Sequence, residues 1–395
     1  MLRGVKIRII PTPEQEVLFK KSCGVARWAY NFCISEKERI RHEYNEDISR
    51  KKRITGKEIR RYINNVLKPT EKYKWLKEVS SNVMKQAVKE AEFAYDMYFK
   101  KLCNKPKFKK KGISKDSFYV NYESLVRTQK GFKGEKLGEV KTSKPLPKLK
   151  DGEIYYRPRI SFDGKFWNLS VVIDKKPLEN IVLTNESLGI DLGIKELATC
   201  SNGMIFHNPN SFTKIKKLEK RLLRAEHRRS KRLLNVLDHY EKTPKGRKAV
   251  YKKELLHRPN LNKIQNEIRL IHNKISNIRL NYIHQTTRSI VKTKPCRIVM
   301  ENITISGLLK NKHVSKSIKN SSWYEFRKQV EYKCEEYGIE FVIANTWFPS
   351  SKTCSNCGTI KKKLPLQIRT YHCKNCGLSI DRDYNASINL ANYNK

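Results

Sequence analysis

Ser187-Leu-Gly-Ile-Asp191-Leu-Gly-Ile-Lys195-Glu-Leu-Ala-Thr-Cys200-Ser-Asn-Gly-Met-Ile-Phe206 is the stretch on which the fold turns. Residues 188–191 form a short apolar run, and 196–200 and 204–206 form two more, the last two joined by the turn residues Ser201-Asn202-Gly203. Short apolar runs bounded by turn residues read as strands, so a three-strand meander is expected. The first strand ends on Asp191. A carboxylate among apolar residues is costly unless it is paired or bound to a metal.

Downstream, residues 214–237 read as a helix with Ile215, Leu218, Leu222 and Ala225 on one face. A second long helix is expected from Asn260, a potential cap. Its Leu261, Ile264, Ile268, Ile271, Ile275, Ile278 and Tyr282 alternate spacings of three and four, the seam of a coiled-coil-like pair. The two form an antiparallel hairpin with a Lys/Arg-rich, irregular tip carrying Pro244 and Pro259. A strand over 297–301, a helix over 323–337, a strand over 339–344 and a last helix from about Asp383 complete the half. Three strands, helices, strand, helix, strand, helix is the element order of an RNase H-like domain. In such a sheet the first and fourth strands are neighbours and the last helix packs beside them, so Asp191, Glu301 and Asp383 would converge. Taken singly, Asp191 could merely end a strand, Glu301 be half-exposed and Asp383 cap a helix. Together they form the carboxylate cluster with which two divalent ions hydrolyse a phosphodiester.

Cys354-Ser-Asn-Cys357-Gly and Cys373-Lys-Asn-Cys376-Gly are separated by fifteen residues. Two C-x-x-C knuckles make a tetrahedral four-thiolate site suited to zinc in preference to an iron–sulfur cluster. With all four positions filled by protein, its role is structural. The other six cysteines (23, 33, 103, 200, 296 and 334) show no pairing pattern, so reduced thiols and a cytoplasmic location are expected.

Upstream, residues 5–10 alternate as a strand, and Thr12-Pro13-Glu14-Gln15 is a capping box opening a helix over 13–44, with Val17, Cys23, Ala26, Tyr30 and Cys33 inward. A shorter helix over 57–66 and one capped by Ser81, running to about Cys103, follow. The period then changes to two, with strands over 153–160 and 167–172 joined at Asp163-Gly164, as in a small β-barrel or sheet that the first strand joins. Trp75, Tyr95, Tyr98 and Phe99 are expected in the core. Phe108 and Tyr119, set among basic residues, are base-stacking candidates. Across its 395 residues the chain carries 84 Lys plus Arg against 39 Asp plus Glu, a formal net charge of +45 spread along its length. An AT-rich genome would account for the Lys but not for the shortage of acids. A polyanionic partner relieves the self-repulsion, and nucleic acid does so with counterion release. No stretch approaches 18 apolar residues, which disfavours a membrane. No phosphate-cradling glycine loop is present, which disfavours a P-loop ATPase.

The segments 189–195 and 298–301, Phe348-Pro-Ser-Ser-Lys-Thr-Cys354-Ser-Asn-Cys357-Gly and Asp381-Arg-Asp383-Tyr-Asn385-Ala-Ser-Ile-Asn389 resemble the TnpB family, insertion-sequence-encoded RNA-guided DNA endonucleases related to the type V CRISPR effectors. Residues 9–15, 75–79 and 105–109 are similar to that family too. The resemblance implies an α+β multidomain chain. Residues 1–185 would hold a β-barrel (about 1–11 and 105–185) with an inserted helical recognition domain (about 12–104). Residues 186–395 would be a RuvC-like nuclease domain with a zinc ribbon over about 350–380. It implies a triad of Asp191, Glu301 and Asp383 holding two Mg2+ ions (Mn2+ as alternative), and structural Zn2+ on Cys354, Cys357, Cys373 and Cys376. It also implies a monomer carrying a guide RNA from the transposon end, acting on double-stranded DNA beside a short motif and leaving 5′-phosphate and 3′-hydroxyl ends. Lys85, Gln86 and Asn121 occupy the places that read such a motif. The rival readings are a nuclease-inactive RNA-guided repressor, a DNA strand-transfer transposase, and a basic zinc-ribbon RNA-binding protein.

Overall fold

In the computed structural model, residues 2–49, 53–150, 152–243, 246–251, 259–303, 322–365 and 367–394 are described. The chain divides into two compact units, residues 2–175 and residues 176–395.

The first unit begins with β1 (Leu2–Ile10), whose alternation buries Ile7 and Ile9. Helices α1 (Pro13–Glu46), α2 (Gly56–Tyr62) and α3 (Ser81–Phe99) follow, then β2 (Ser117–Tyr119), β3 (Val126–Arg127), β4 (Gly131–Gly134), β5 (Gly138–Thr142), β6 (Tyr156–Phe162) and β7 (Trp167–Asp174). All seven strands lie in one antiparallel sheet, in the order β2-β6-β7-β1-β5-β4-β3. The first strand pairs with the last, from Leu2↔Asp174 to Ile9↔Trp167, so the helices are an excursion between strands of one sheet. Among the described residues β2 and β3 are the two ends of that order and are not hydrogen-bonded to each other, so what is seen is a sheet and not a closed barrel.

The capping box at Thr12 and Gln15 is formed, and Thr55 with Glu58 makes a second one. Phe19 is fully buried against Trp167 and Phe118, with ring centroids 5.2 and 5.8 Å away, which seats α1 on the sheet. Several expectations need correction. Val17 is 51% exposed, because the buried face of α1 runs through Phe19 and Ser22 instead. The cap of α3 is Ser80, whose hydroxyl accepts from Asn82 N–H; one Ser earlier suffices to start the turn. The helix expected over 57–66 is α2 followed by a π-helical turn, Ile63–Leu67. Trp75 and Phe99 are exposed, not core.

The second unit contains β8 (Ser187–Asp191), β9 (Glu196–Cys200), β10 (Ile205–His207), α4 (Thr213–Leu234), β11 (Leu237–Thr243), β12 (Gly246–Tyr251), α5 (Pro259–Lys292), β13 (Arg297–Met300), α6 (Trp323–Tyr337), β14 (Glu340–Ile343), β15 (Thr370–His372), β16 (Ser379–Asp381) and α7 (Arg382–Ala391). The main sheet runs β10-β9-β8-β13-β14. The meander strands are antiparallel, while β13 lies parallel to both β8 and β14. The first and fourth strands are thus neighbours, as an RNase H-like order requires. One apolar cluster, including Ile190, Met300, Ile283 and Phe326, fills the space between this sheet and helices α5 and α6.

Helices α4 and α5 pair through Ile215, Leu218 and Ala225 against Ile264, Ile268, Ile271 and Ile275. Arg221 and Arg228 both bond Glu267 across the seam. Their tip is not an irregular loop but a two-stranded ribbon, β11 with β12. Pro244 lies outside the described residues, and Pro259 opens α5, so Asn260 sits inside that helix and does not cap it. No described helix is long and apolar enough to cross a membrane.

Candidate active site and metal centre

The site is assembled by the packing of α7 on β8. Gly189 makes this possible: a Cβ there would stand 1.9 Å from the Ser387 carbonyl oxygen and 2.4 Å from the Ala391 nitrogen. The missing side chain lets the helix backbone lie directly on the strand. Both polar groups of Gly189 are satisfied by Ser201, its N–H donating to the hydroxyl and its carbonyl accepting from Ser201 N–H. Arg297 locks the far end, donating to Ser187 Oγ and to the Ala391 carbonyl. The loop after Asp191 is pinned by the Trp323 indole, which donates to the Gly193 carbonyl.

Asp191 is the last residue of β8, Glu301 follows the end of the adjacent parallel β13, and Asp383 lies in the first turn of α7. The helix cap is a different acid. Asp381 accepts from the N–H groups of Asp383 and Tyr384, which leaves the Asp383 carboxylate free for another task. Burial raises Asp191 well above the usual carboxylate range, and the charges of Asp383 and Glu301 raise it further. Burial also raises Glu301 and, with the charge of Asp381, Asp383. The charges of Asp383 and Glu301 reaching a buried Asp191 mark three acids gathered at one place against the electrostatic preference of the deepest. They are not drawn into a tight ligand set: their oxygens are not all within 4.8 Å of one another, a distance that only the four cysteines meet among the described residues. The donor set, three carboxylates with hard oxygen ligands, suits a hard divalent cation.

Three cations border the acids. Arg369 lies 3.6 Å from the Asp383 carboxylate, and Arg382 lowers the pKa of all three acids. Lys195 adds a weaker pull on Asp383. Arg369 and Arg382 were not singled out from sequence. The signal available was their position: Arg382 lies between two acids, and Arg369 precedes β15, the partner of β16, which ends at Asp381.

The four cysteines meet as their spacing requires. Cys354 and Cys376 sulfurs are 3.6 Å apart, as are those of Cys357 and Cys373, and all four lie within 4.8 Å. Each knuckle closes through a left-handed glycine, Gly358 (φ 74°) and Gly377 (φ 73°), whose N–H groups donate to the Cys354 and Cys373 carbonyls. Hydrogen bonding, first from the Thr359 hydroxyl, pulls the Cys357 thiol down to about 5. Hydrogen bonding lowers Cys376 as well, while burial raises Cys354, and the compact set of four sulfur donors fits zinc. Tyr371, fully buried, forms the small core beneath it and donates to the carbonyls of Lys352 and Thr359.

The cysteine knuckle is bolted to α7 by two asparagines. Asn385 Nδ2 donates to the Thr353 carbonyl (2.7 Å) while its Oδ1 accepts from Ser355 N–H (3.0 Å). Asn389 donates to the carbonyls of Ser350 and Thr353, both at 2.7 Å. Both asparagines are buried.

Lys85, Gln86 and Asn121 belong to the other unit. Lys85 is exposed and Gln86 half-buried near the start of α3, and Asn121 follows β2. Asn121 lines a small pocket with Ser80, Glu135 and Lys136; Lys85 and Gln86 do not. The stacking candidate Phe108 is 54% exposed.

Comparison with known proteins places the chain among relatives along nearly its whole length. Residues 170–312 match a family model described as "Probable transposase", residues 1–46 a "Helix-turn-helix domain" of the same insertion-sequence family, and residues 323–390 a "Cas12f1-like, TNB domain". A "Putative RNA-guided DNA endonuclease" of Streptomyces pristinaespiralis is 29% identical over 98% of this chain and 88% of its own length. The "Putative RNA-guided DNA endonuclease InsQ" of Escherichia coli (strain K12) is 26% identical over 98% of this chain and 91% of its own. The fold resembles that of the protein in the "Cas12f1-sgRNA-target DNA complex", with TM-score 0.51 and 14% identity over 99% of this chain and 98% of that one. With the three family models falling on β1 and α1, on the strands that carry Asp191 and Glu301, and on the cysteine knuckles with α7, the chain belongs to the TnpB family.

Proposed function

We propose that this protein is an RNA-guided DNA endonuclease that hydrolyses target phosphodiesters at Asp191, Glu301 and Asp383. The observation that carries the reading is the raised Asp191: a deep carboxylate at a strand end, repelled by two others that arrive from a neighbouring strand and a separate helix. Relatives matching nearly the whole chain are named for that activity.

The three acids would hold two Mg2+ ions, or Mn2+ in their place, and bound ions supply the charge neutralisation and Lewis acidity that this hydrolysis needs. The chain's own contribution is placement. Gly189 brings α7 onto β8, Asp381 caps the helix so that Asp383 is not consumed by it, and Arg369, Arg382 and Lys195 offer positive charge to the scissile phosphate. Zinc on the four cysteines is read as structural, because no coordination position stays open.

In the proposed division of labour, the unit of sheet and inserted helices (residues 2–175) binds guide and target, with Lys85, Gln86 and Asn121 reading a short motif on the duplex. Residues 176–395 cut. The guide would derive from the transposon end and the particle would hold one copy of the chain, in the cytoplasm with the bacterial nucleoid.

The test is Asp191→Ala in the ribonucleoprotein purified from cells. Cutting of a target matching the co-purified RNA is expected to vanish while RNA and target binding stay near wild type. Full cleavage by that variant would sink the assignment. Joining of transposon-end DNA without RNA would favour a strand-transfer enzyme instead.

A further inference from the structure

We infer that Trp347 is a base-stacking platform beside the cleavage site, holding a nucleobase of the single DNA strand that enters it. The inference rests on the nuclease reading above and deepens it.

Of five tryptophans, Trp347 alone stands almost wholly in solvent, at 89% exposure. Trp167 and Trp323 are buried, and Trp28 stacks on Phe32. An indole left in water at a random surface point would sit on a loose loop, free to fold back. The segment around Trp347 is instead held on three sides. Asn302, next to Glu301, donates to the Thr346 hydroxyl. The Tyr393 hydroxyl accepts from Asn345 N–H. Phe348 packs edge-on to Tyr393 at 4.9 Å and joins the cluster of Val299, Val342, Ala344 and Leu390. Within the turn, Trp347 N–H donates to Asn345 Oδ1 and Phe348 N–H to the Asn345 carbonyl. The backbone that carries the ring is thus held in a defined turn, so little backbone freedom is left to lose on binding.

Its place follows from strand register. Parallel β13 and β14 align Met300 with Ile343, and Ala344 N–H donates to the Met300 carbonyl. Continuing that register puts Glu301 level with Ala344 and Asn302 with Asn345, and the hydrogen bond from Asn302 to Thr346 keeps the two segments side by side. Trp347 lies two residues beyond, at the same carboxyl edge of the sheet that carries Asp191 and Glu301, where open α/β sheets bind their ligands.

The surroundings select the occupant. Residues 342–364 contain no Asp or Glu but carry Lys352, Lys361, Lys362 and Lys363. An exposed indole in a stretch whose charged residues are all lysines suits single-stranded nucleic acid bound without regard to sequence. A base of duplex DNA is already stacked and offers no free face, so the partner is an unpaired nucleotide flanking the scissile phosphate.

The test uses the full-length protein with an oligodeoxythymidylate bearing one 5-iodouracil, irradiated without divalent metal. Mass spectrometry is expected to find the adduct on Trp347. In cleavage assays of the ribonucleoprotein, Trp347→Ala should lower kcat/KM about ten- to a hundredfold, with Trp347→Phe recovering most of it and zinc content unchanged. An adduct absent from residues 345–348, together with unaltered cutting by Trp347→Ala, would overturn the inference and leave the turn as a surface for a protein partner. An adduct on Trp347 in a protein that cuts nothing would support stacking while removing the nuclease reading, so the two failures are separable.

Discussion

At Asp191 the protein sets function against stability. Burial and two neighbouring carboxylates hold its pKa above that of an unfolded aspartate, so the folded, metal-free chain binds this proton more tightly than the unfolded chain does. That contribution to stability is full at pH below the unfolded aspartate value and is lost as pH climbs through the raised folded value. The melting temperature of magnesium-free protein should therefore fall as pH rises across that window, and Asp191→Asn should flatten the fall. A variant that melts along the wild-type curve would mean that Asp191 carries no repulsion. Asp191→Asn should also stabilise the metal-free protein while abolishing cutting, the reverse of what loss of a structural aspartate does.

Element packing carries the next dependence. Gly189→Ala puts a methyl group into the backbone of α7, so the helix must lift off β8 and take Asp383 with it. Overpacking of this kind costs about 1–3 kcal/mol, but activity should drop by far more than stability, because placement of Asp383 is lost first. Comparing melting temperature with cleavage rate separates the two. Asn389→Ala leaves the carbonyl of buried Ser350 without its donor and the Thr353 carbonyl with the donor of Asn385 alone. An expected cost of about 1–3 kcal/mol follows, with weakened zinc retention measured by release to a chromogenic chelator. The motif spanning Asp383, Asn385 and Asn389 was readable as a string, and Asp383 was assigned from it. That the two asparagines clamp the knuckle is not legible in sequence, because their partners are backbone groups 30 to 39 residues away, and a backbone group leaves no mark on sequence.

For the molecule as a whole, two consequences follow. Removing zinc should abolish cutting through α7, since the knuckle and the helix share hydrogen bonds. Excess Mg2+ should not restore activity, and added Zn2+ should, as an endonuclease assay after chelation and dialysis would record. Rescue by Mg2+ alone would show that the four cysteines do not support Asp383. The net charge of +45 predicts steep salt dependence of nucleic-acid binding. With 6–10 phosphates neutralised, affinity falls about 10³–10⁵-fold between 50 and 200 mM salt, and a flat profile in a filter-binding titration would contradict an electrostatic interface.

The amino-acid sequence by itself determined the main element order of the second unit, the positions of the three acids, the spacing of the four cysteines and the excess of positive charge. Those features are written in local period, in spacing and in charge, each of which survives without a fold. Tertiary structure decided the rest. It made the first seven strands a sheet with two free ends, turned the tip of the helical pair into a β-ribbon, and moved Val17, Trp75 and Phe99 to the surface. Burial of an amphipathic face and pairing between distant strands depend on which neighbours arrive, and that is settled only when the whole chain packs. The same holds for the site: Gly189 reads as any glycine until a helix from the end of the chain lies 1.9 Å from where its side chain would be.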